Sequence, residues 1–386
     1  MSGTPSGIFA AGCGRMKRFA EKPDDHCTPM SLERVIELQE RAWELEQHGE
    51  LDQAFVIARE ALGLLEQLEG GDSPDVANLL NDLVAIEQAR QNFDAALVLA
   101  ERARHIERGW DGSSPDESEL RIRLKTESLL GELQRARGDF ARAEAHLTAA
   151  LELSRALGDA AEIAYAENAL GIFCKYAGRF DEALELYARA LATLTEIHGE
   201  RSREVGGVWH NIGGALHARG DFVAAEGPAR RAWEIARQHL GEDDPRTHLD
   251  AAAYAAVLDG LERYTESETL YRRALSRFRV AFGPVHYELA ATWHNLGSVV
   301  EQQGRADEAE GCYREAWRIK RQLFGDDHPD LALTLNNLGR LLCERGRRLE
   351  ALPLLEAAHA TLERSLPDGH PQRGRVFQNL ERARTA

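Results

Sequence analysis

Leucines recur at helical spacing in the segment PDLALTLNNLGRLLCERG, residues 329–346. Leu331, Leu335, Leu338 and Leu342 follow one another at steps of 4, 3 and 4 residues, which places them on one face of an α-helix. Pro329 suits the first turn of that helix, where no intrahelical hydrogen bond needs its missing N–H. The pattern predicts an amphipathic helix that starts near Pro329 and buries one face. Similar starts recur at Pro74, Pro245 and Pro371.

This helix belongs to a repeat with a period of mostly 42 residues. The tripeptide Trp-His-Asn occurs at residues 209–211 and again at 293–295, which is 84 residues later. In each copy a glycine follows the Asn by two residues, and we term that place the marker position. Steps of 42, 40 or 47 residues give eight markers, at Ala42, Val84, Gly131, Gly171, Gly213, Ala255, Gly297 and Gly339.

Small residues follow each marker at two fixed distances. Twelve residues on lie Ala54, Ala96, Ala143, Ala183, Ala225, Ser267, Ala309 and Ala351. Seven residues further lie Ala61, Ala103, Ala150, Ala190, Ala232, Ala274, Ala316 and Ala358. Small residues let paired helices approach closely, and a single pair cannot bury its apolar face alone, so the pairs must stack. We therefore expect a disordered tail over residues 1–30, eight helix pairs over 31–370 and a capping helix over 371–386.

The repeat resembles the tetratricopeptide pattern, W-x2-L-G-x2-Y followed by A-x3-F and a further Ala. Its slots are filled by Trp293, Leu296, Gly297, Ala309, Tyr313 and Ala316. The lengthened period and the linker FGDDHPDLALTLNNLG, residues 324–339, resemble the repeats of kinesin light chains. The resemblance covers roughly residues 31–386 and implies an all-α superhelical solenoid of paired antiparallel helices.

The resemblance also implies a binding groove, because the first helix of each pair lines the concave surface in tetratricopeptide proteins. The slot two residues before the marker holds Asp82, Asn211, Asn295, Asn337 and Asn379. The slot before that holds Asn81, Asn168, His210, His294 and Asn336. A side-chain amide offers a donor and an acceptor, which is what a peptide backbone needs. A row of Asn residues would hold an extended peptide without reading its sequence, although Leu129, Ala169 and Ala253 interrupt the row.

Other side chains join this predicted groove. Lys175 and Tyr176 lie beside Ile172 and suggest an apolar pocket in the fourth repeat. The alternative for the Asn row is that its amides hydrogen-bond between neighbouring repeats. The charges are mixed, so the sequence leaves the charge of the ligand open. The peptide-binding groove is predicted at Asn168, Lys175, Tyr176, His210, Asn211, His217, His294, Asn295, Asn336, Asn337 and Arg340.

Charge and composition limit the classes of partner that the chain could bind. The formal net charge of −17 disfavours nucleic acid and anionic membranes, because their phosphates would be repelled. No apolar run is long enough to span a membrane. Five cysteines without a CxxC pair indicate a reducing compartment, and we expect a cytoplasmic protein. The excess of Arg over Lys indicates a G+C-rich, bacterial genome.

The first residues allow two readings. The segment GIFAAGCG resembles a lipoprotein cleavage site before Cys13, but it lacks a basic start and a long apolar stretch, which disfavours lipidation. Met16 and Met30 leave a later start open. The segment before residue 31 could itself occupy the groove as an internal ligand.

Catalytic and metal-binding patterns are weak. His210 and His217 share a predicted helix but are seven residues apart, about 10 Å along the axis, which is too far for a shared metal ion. The chain has no H-E-x-x-H, G-x-S-x-G, P-loop or GxGxxG motif. We expect no cofactor and no metal site. An enzyme that uses His210, His294 and Glu301 is the weakest alternative.

The sequence therefore predicts a non-catalytic scaffold or adaptor that binds an extended peptide or a partner segment in its groove. The alternative is a regulatory receptor whose repeats bind a short signal peptide or small molecule and control a separate effector protein. The identity of the partner and the oligomeric state stay open.

Overall fold

A computed structural model of the chain describes residues 29–110, 115–326, 328–365 and 371–385. Within these ranges the chain forms seventeen α-helices and no β-strand. The all-α solenoid fold predicted from the repeat is confirmed. Residues 1–28, which carry most of the expected tail, Cys13 and Met16, lie outside the described residues.

The chain divides into two compact units at Gly199. The amino-terminal unit, residues 29–199, contains four antiparallel helix pairs. Its helices are α1 (Pro29–Gln47), α2 (Leu51–Glu69), α3 (Pro74–Ala89), α4 (Phe93–Glu107), α5 (Glu117–Ala136), α6 (Phe140–Leu157), α7 (Ala160–Tyr176) and α8 (Phe180–His198).

The carboxy-terminal unit, residues 200–385, contains four more pairs and a final single helix. Its helices are α9 (Arg203–Arg219), α10 (Phe222–Leu240), α11 (Pro245–Gly260), α12 (Tyr264–Phe282), α13 (Tyr287–Gln302), α14 (Ala306–Phe324), α15 (Pro329–Glu344), α16 (Arg348–Ser365) and α17 (Pro371–Thr385).

Small residues hold the two helices of each pair together. All sixteen residues at the positions twelve and nineteen after the markers are at most 2% exposed. A bulky residue between these positions lies directly on the marker. A Cβ added at Gly297 would lie 2.8 Å from a ring carbon of Tyr313, and one at Gly171 would lie 2.6 Å from a ring carbon of Tyr187. Glycine at these markers therefore allows the tyrosine ring to contact the helix backbone.

Polar caps fix where the first helices begin. The Ser73 hydroxyl accepts a hydrogen bond from the Val76 N–H at 3.2 Å, and the Ser202 hydroxyl accepts one from Val205 at 3.3 Å. His328 caps α15 just before its first residue.

The turn inside each pair uses one left-handed residue, seven positions after the marker. This residue is Gly in six repeats, at Gly49, Gly138, Gly178, Gly220, Gly304 and Gly346. Gln91 and Glu262 take its place in the second and sixth repeats, with φ of 63° and 60°. A left-handed backbone is costly for residues with a Cβ, so these two turns are strained relative to the others.

Within each unit, first helices of successive pairs contact one another, for example α3 with α5 and α9 with α11. Equivalent positions of successive repeats therefore form rows. We define the first-helix surface as the side chains three and two residues before the marker and one, four and five residues after it. None of the described helices is long and apolar enough to cross a membrane.

Candidate functional site

Polar side chains three residues before the marker bridge neighbouring repeats. In the amino-terminal unit, the Asn81 amide donates to the Thr126 hydroxyl at 2.7 Å. In the carboxy-terminal unit, His210 Nδ1 lies 2.6 Å from Asp250 Oδ1. Each bond joins the first helix of one repeat to the first helix of the next. This position therefore stabilises the stacking of repeats as well as facing the first-helix surface.

Two further bonds between neighbouring helices of this surface lie at the carboxy-terminal end. His294 Nδ1 lies 3.1 Å from the Thr334 hydroxyl, and the Asn379 amide donates to Asn336 Oδ1 at 2.9 Å. Asn337 lies between them. Its carbonyl accepts from the Asn336 amide at 3.3 Å, and its own amide lies 3.4 Å from His294 Nε2. These residues form one hydrogen-bonded network across the last two repeats and the final helix α17.

The predicted Asn row differs in accessibility along its length. Asn211 and Asn336 are only 5% and 3% exposed. Their amides are enclosed by protein, so a peptide on the first-helix surface would reach little of them. Asn295 and Asn337 are half-buried, and so is Asn168 on α7. The sequence could not separate Asn211 from Asn295 and Asn337, because all three lie two residues before a marker.

His294 is held neutral by its surroundings. Burial and then the nearby charge of Lys320 lower the pKa of His294 to about 3, although Asp330 opposes the shift. The contact from the Asn337 amide to Nε2 fits the tautomer that carries its proton on Nδ1 and donates it to Thr334. A neutral, doubly engaged imidazole of this kind does not suit acid–base chemistry at neutral pH.

Glu301 forms a closed cluster four residues after Gly297. Its carboxylate accepts a hydrogen bond from the Tyr313 hydroxyl at 2.9 Å and is paired with Arg340 at 2.8 Å. Arg340 also pairs with Glu344 at 2.8 Å. The Tyr313 side chain crosses the backbone at the glycine marker, so its hydroxyl reaches the first-helix surface. There it donates its hydrogen bond to the Glu301 carboxylate.

One repeat earlier, Asp259 and Tyr271 occupy the positions equivalent to Glu301 and Tyr313, but their polar groups have fewer hydrogen-bond partners. Burial raises the pKa of Asp259 to about 6, and no basic side chain of the described residues pairs with its carboxylate. Burial and the charge of Asp259 also raise the pKa of Tyr271, and the nearby Asn295 side chain opposes that rise. The Tyr271 hydroxyl is buried and makes no hydrogen bond of acceptable geometry. The pair therefore retains hydrogen-bonding capacity.

In the amino-terminal unit, two cations converge on one aromatic ring. The Arg135 guanidinium lies 4.6 Å from the centre of the Tyr176 ring, and Lys175 Nζ lies 4.8 Å from it. Burial and then the charge of Arg135 lower the pKa of Lys175 to about 8. Neither cation lies within salt-bridge distance of a carboxylate among the described residues, although the charge of Arg135 acts on the Glu132 carboxyl. Positive charge therefore lies where the sequence predicts an apolar pocket, beside Ile172 and Tyr176.

Tyr187 adds a polar group to the same place. Its ring packs on Gly171 and is fully buried, and its hydroxyl makes no hydrogen bond. Burial raises the pKa of Tyr187, and Tyr176 adds to the rise while Arg135 opposes it, so the hydroxyl lies within the electrostatic reach of both. Burial raises the pKa of Glu132 on α5, while the charge of Arg135 and a hydrogen bond with Gln88 oppose the rise.

His217 occupies the slot of Lys175 in the fifth repeat. Burial lowers the pKa of His217, and a hydrogen bond with the Ala256 backbone opposes the shift. The described residues contain no group of three or more His, Cys, Asp or Glu that could hold a metal ion.

Sequence reasoning missed Arg135 and Asp259. Both lie four residues after a marker, in the row that also holds Lys175, His217 and Glu301. Comparing this one slot across all repeats would have found them. The unpaired hydroxyls of Tyr187 and Tyr271 could not have been found this way, because the depth of a tyrosine between two helices depends on the packing.

The family model for the tetratricopeptide repeat matches this chain at residues 122–194, 162–238, 249–322 and 288–364. Together these segments cover more than half of the sequence.

Two relatives show the same likeness. The protein KINESIN LIGHT CHAIN-RELATED 3 of Arabidopsis thaliana is 23% identical over 262 residues, which is 66% of this chain and 39% of that protein. The mitochondrial tetratricopeptide repeat protein 19 of Rattus norvegicus is 30% identical over 102 residues, which is 26% of this chain and 27% of that protein. The chain thus spans well under half the length of these relatives.

Solved structures share the fold over nearly the whole chain. A Rap protein complexed with competence and sporulation factor has a TM-score of 0.58 and 17% identity, with 92% of this chain and 98% of that one covered. A signal transduction ATPase with a tetratricopeptide repeat sensor, from Pyrococcus horikoshii, has a TM-score of 0.58 and 15% identity, with 91% and 49% covered. At these identities the likeness concerns the fold alone.

Proposed function

Because this chain belongs to the tetratricopeptide repeat family, with repeats of the kinesin light chain type, we propose that it is a non-catalytic scaffold or adaptor that binds a protein partner. The partner supplies an extended segment, which lies along the first-helix surface. The fold supports this proposal because stacked helix pairs place equivalent side chains in rows, which suits an elongated ligand.

The observation that carries the proposal is the set of half-buried polar side chains on the first-helix surface. Asn295 and Asn337 in the carboxy-terminal unit and Lys175 and Tyr176 in the amino-terminal unit combine partial exposure with fixed positions. Side chains held by packing lose little freedom on binding, which favours affinity. An amide that is partly exposed can pair with either group of a peptide bond.

Catalysis is disfavoured by the state of the residues that an enzyme would need. His294 is held neutral with both ring nitrogens engaged, and the Glu301 carboxylate is occupied by Tyr313 and Arg340. A catalytic group must be free to exchange a proton or attack a substrate. We propose that these residues serve structure and recognition.

A protein partner is also favoured over nucleic acid by charge. The formal net charge is −17, and a phosphate backbone would be repelled at most of the surface. We propose that the chain acts inside the cell on a protein or peptide ligand.

The test is affinity capture from a lysate of the native organism, read by mass spectrometry. The chain carrying Asn295→Ala and Asn337→Ala should lose a partner that the wild-type chain retains. Circular dichroism should show an unchanged helix content.

The matched control is Gln238→Ala with Gln322→Ala, which removes two exposed amides from second helices α10 and α14. This control should keep the partner. If the control loses the partner and the Asn variant keeps it, the second helices carry binding and the proposal is wrong.

A further inference from the structure

A three-residue motif occurs on the second helices α10, α12 and α14 and on none of the other second helices. Each of the three carries Arg, a large apolar residue and Arg at seventeen, twenty and twenty-four residues after the marker. These spacings place the three side chains on one face of a helix. The nine residues are Arg230, Trp233, Arg237, Arg272, Leu275, Arg279, Arg314, Trp317 and Arg321. The tetratricopeptide pattern has no Arg at either position, so the fold does not explain the motif.

The three helices present their motifs next to one another. Glu242, in the linker after α10, lies 3.8 Å from Arg237 on α10 and 4.0 Å from Arg273 on α12. Arg272 on α12 pairs with Glu308 on α14. Five of the six motif arginines are exposed, and the sixth is half-buried. We term the nine motif residues together the basic surface.

Positive charge is concentrated around this surface. In the three repeats that carry the motif, the segments from seventeen to twenty-seven residues after the marker hold eleven basic and two acidic side chains, a formal net charge of +9. In the four repeats of the amino-terminal unit, the same segments hold six basic and eight acidic side chains, a formal net charge of −2. The helix dipole favours basic residues at the carboxy-terminal end of every helix, so it does not account for a charge that only one unit carries.

A cavity on the basic surface has room for an apolar group. Its volume is about 510 Å³, and its lining residues are Arg314, Trp317, Arg318, Arg321 and Gln322, all on α14. The indole of Trp317 offers an apolar contact, and the three guanidinium groups favour carboxylates. A binding partner that suits this cavity combines exposed apolar side chains with neighbouring acidic ones.

Helix α1 of the same chain has this combination. Leu32, Ile36 and Trp43 are 39%, 42% and 51% exposed, and their spacing of four and seven residues places them in one stripe along the helix. Next to this stripe lies a stripe of four exposed glutamates, Glu33, Glu37, Glu40 and Glu44. Residues 29–75 hold twelve acidic and three basic side chains, a formal net charge of −9. An exposed apolar stripe of this kind marks a surface for another molecule.

We propose that α1 of one copy of this chain docks on the basic surface of a second copy. Its apolar stripe lies over the cavity beside Trp317, and its glutamates pair with the motif arginines. The dimensions agree, because the 19 residues of α1 extend about 28 Å, and three neighbouring helices span about 20 Å between the outer axes. The contact joins two different surfaces, so it is heterologous and builds a chain or a ring of copies.

Sedimentation velocity of the full chain measures this association. The weight-average mass should rise above that of one chain as the protein concentration increases. Raising NaCl from about 50 mM to about 500 mM should increase the dissociation constant about tenfold, because salt screens the paired charges. Trp43→Ala should weaken the association about tenfold and leave its salt dependence unchanged, because it removes apolar contact and no charge.

Charge reversal tests which surfaces meet. Arg279→Glu/Arg321→Glu reverses part of the basic surface, and Glu40→Arg/Glu44→Arg reverses part of α1. Each variant alone should associate at least about tenfold more weakly than the wild-type chain, because like charges then face each other. An equimolar mixture of the two should associate as the wild-type chain does, since each reversed surface then meets its reversed counterpart. Association of the mixture also shows that both variants are folded.

The matched control is Arg142→Glu/Arg155→Glu, which reverses two exposed arginines on α6. It should associate as the wild-type chain does. A photoreactive residue at Gln322, which lines the cavity, should join two copies of this chain and not a second protein.

Three results would overturn the proposal. The first is a wild-type chain that stays monomeric at about 100 μM in low salt, where even weak association is detected. The second is association that both reversal variants retain. The third is a mixture of the two variants that stays monomeric although circular dichroism shows both to be folded. Peptide binding on the first-helix surface is a separate measurement, because the basic surface lies on second helices.

Discussion

The two units of the chain are built from the same helix pair but differ sharply in charge. Residues 29–199 hold 33 acidic and 17 basic side chains, a formal charge of −16, whereas residues 200–386 hold 28 and 26, a formal charge of −2. Buried small residues and tyrosines packed on glycine markers occur in both units. The backbone architecture is therefore independent of the charge that the surface carries.

Polar groups are also satisfied differently in the two units. In the carboxy-terminal unit, Glu310 contacts three arginines, at 2.8 Å from Arg314 and at 2.6 Å from both Arg345 and Arg347. In the amino-terminal unit, Arg135 and Lys175 lie beside the Tyr176 ring, and neither is within salt-bridge distance of a carboxylate among the described residues. The charge of Arg135 acts instead on the Glu132 carboxyl. The same helix pair therefore accommodates both arrangements.

The largest expected effect tests the shared architecture. Gly171→Ala and Gly297→Ala each place a methyl group less than 3 Å from a tyrosine ring, and overpacking of this kind should cost about 2–3 kcal/mol. Both units should lose stability to a similar extent, measured by calorimetric unfolding of each variant.

Gly63→Ala and Gly311→Ala are the matched controls, because a Cβ at either position meets no atom within 4 Å. They should be neutral or slightly stabilising. A loss in only one unit would show that the two units do not share this packing.

A second effect is a pH-dependent loss of stability in the carboxy-terminal unit, which contains His294. The folded pKa of His294, about 3, lies below its usual value of 6.5, so its stabilising contribution is complete above pH 6.5 and is lost as the pH falls. When the pH is lowered from 7 to 5, protonation of this residue in the unfolded chain should reduce the free energy of unfolding by about 2 kcal/mol.

Urea unfolding at both pH values measures this cost. The variant His294→Gln should show a pH-dependent loss about 2 kcal/mol smaller than that of the wild-type chain. An identical loss in both proteins would mean that His294 is not held neutral.

A third effect concerns Asp259, whose folded pKa of about 6 lies above its usual value of 3.8. The charged form is disfavoured in the folded state, so stability falls as the pH rises from 4 to 6 and stays lower above that range. Asp259→Asn should therefore raise the free energy of unfolding by about 1 kcal/mol at pH 7.5, after allowance for partial exposure. The gain should vanish at pH 4, and a gain at both pH values would contradict the burial argument.

The smallest effect tests the turns. Gln91→Gly and Glu262→Gly relieve a left-handed backbone, with one such residue in each unit. Each should stabilise its unit by about 0.5 kcal/mol, because glycine adopts this conformation without steric cost but loses more entropy on folding. Chemical denaturation of the two variants checks this, and destabilisation of either would show that its side chain contributes more than the strain costs.

The backbone of this fold could be predicted from the sequence because its signals are local or periodic. Pro74, Pro245 and Pro329 mark helix starts, and all three lie at the first turn of a helix. The small residues at fixed distances from each marker are all buried. These features follow from steric rules that act over one or two turns of helix.

The candidate site could be predicted only in part, because it depends on how helices align. The bonds from Asn81 to Thr126 and from His210 to Asp250 join residues 45 and 40 positions apart. Their geometry is set by the rotation and sliding of neighbouring first helices, which repeat spacing does not determine. For the same reason the sequence placed Asn295 and Asn336 in equivalent roles, although Asn295 is half-buried and Asn336 is enclosed.

The most direct test of the central claim is site-specific photocrosslinking in the native organism. A photoreactive amino acid is placed at Ile172 and Ser298 on the first-helix surface, and at the exposed Val98 and Gln322 on second helices. We expect partner adducts from Ile172 or Ser298 and none from Val98 or Gln322. Adducts that form only from the second-helix positions would contradict binding on the first-helix surface.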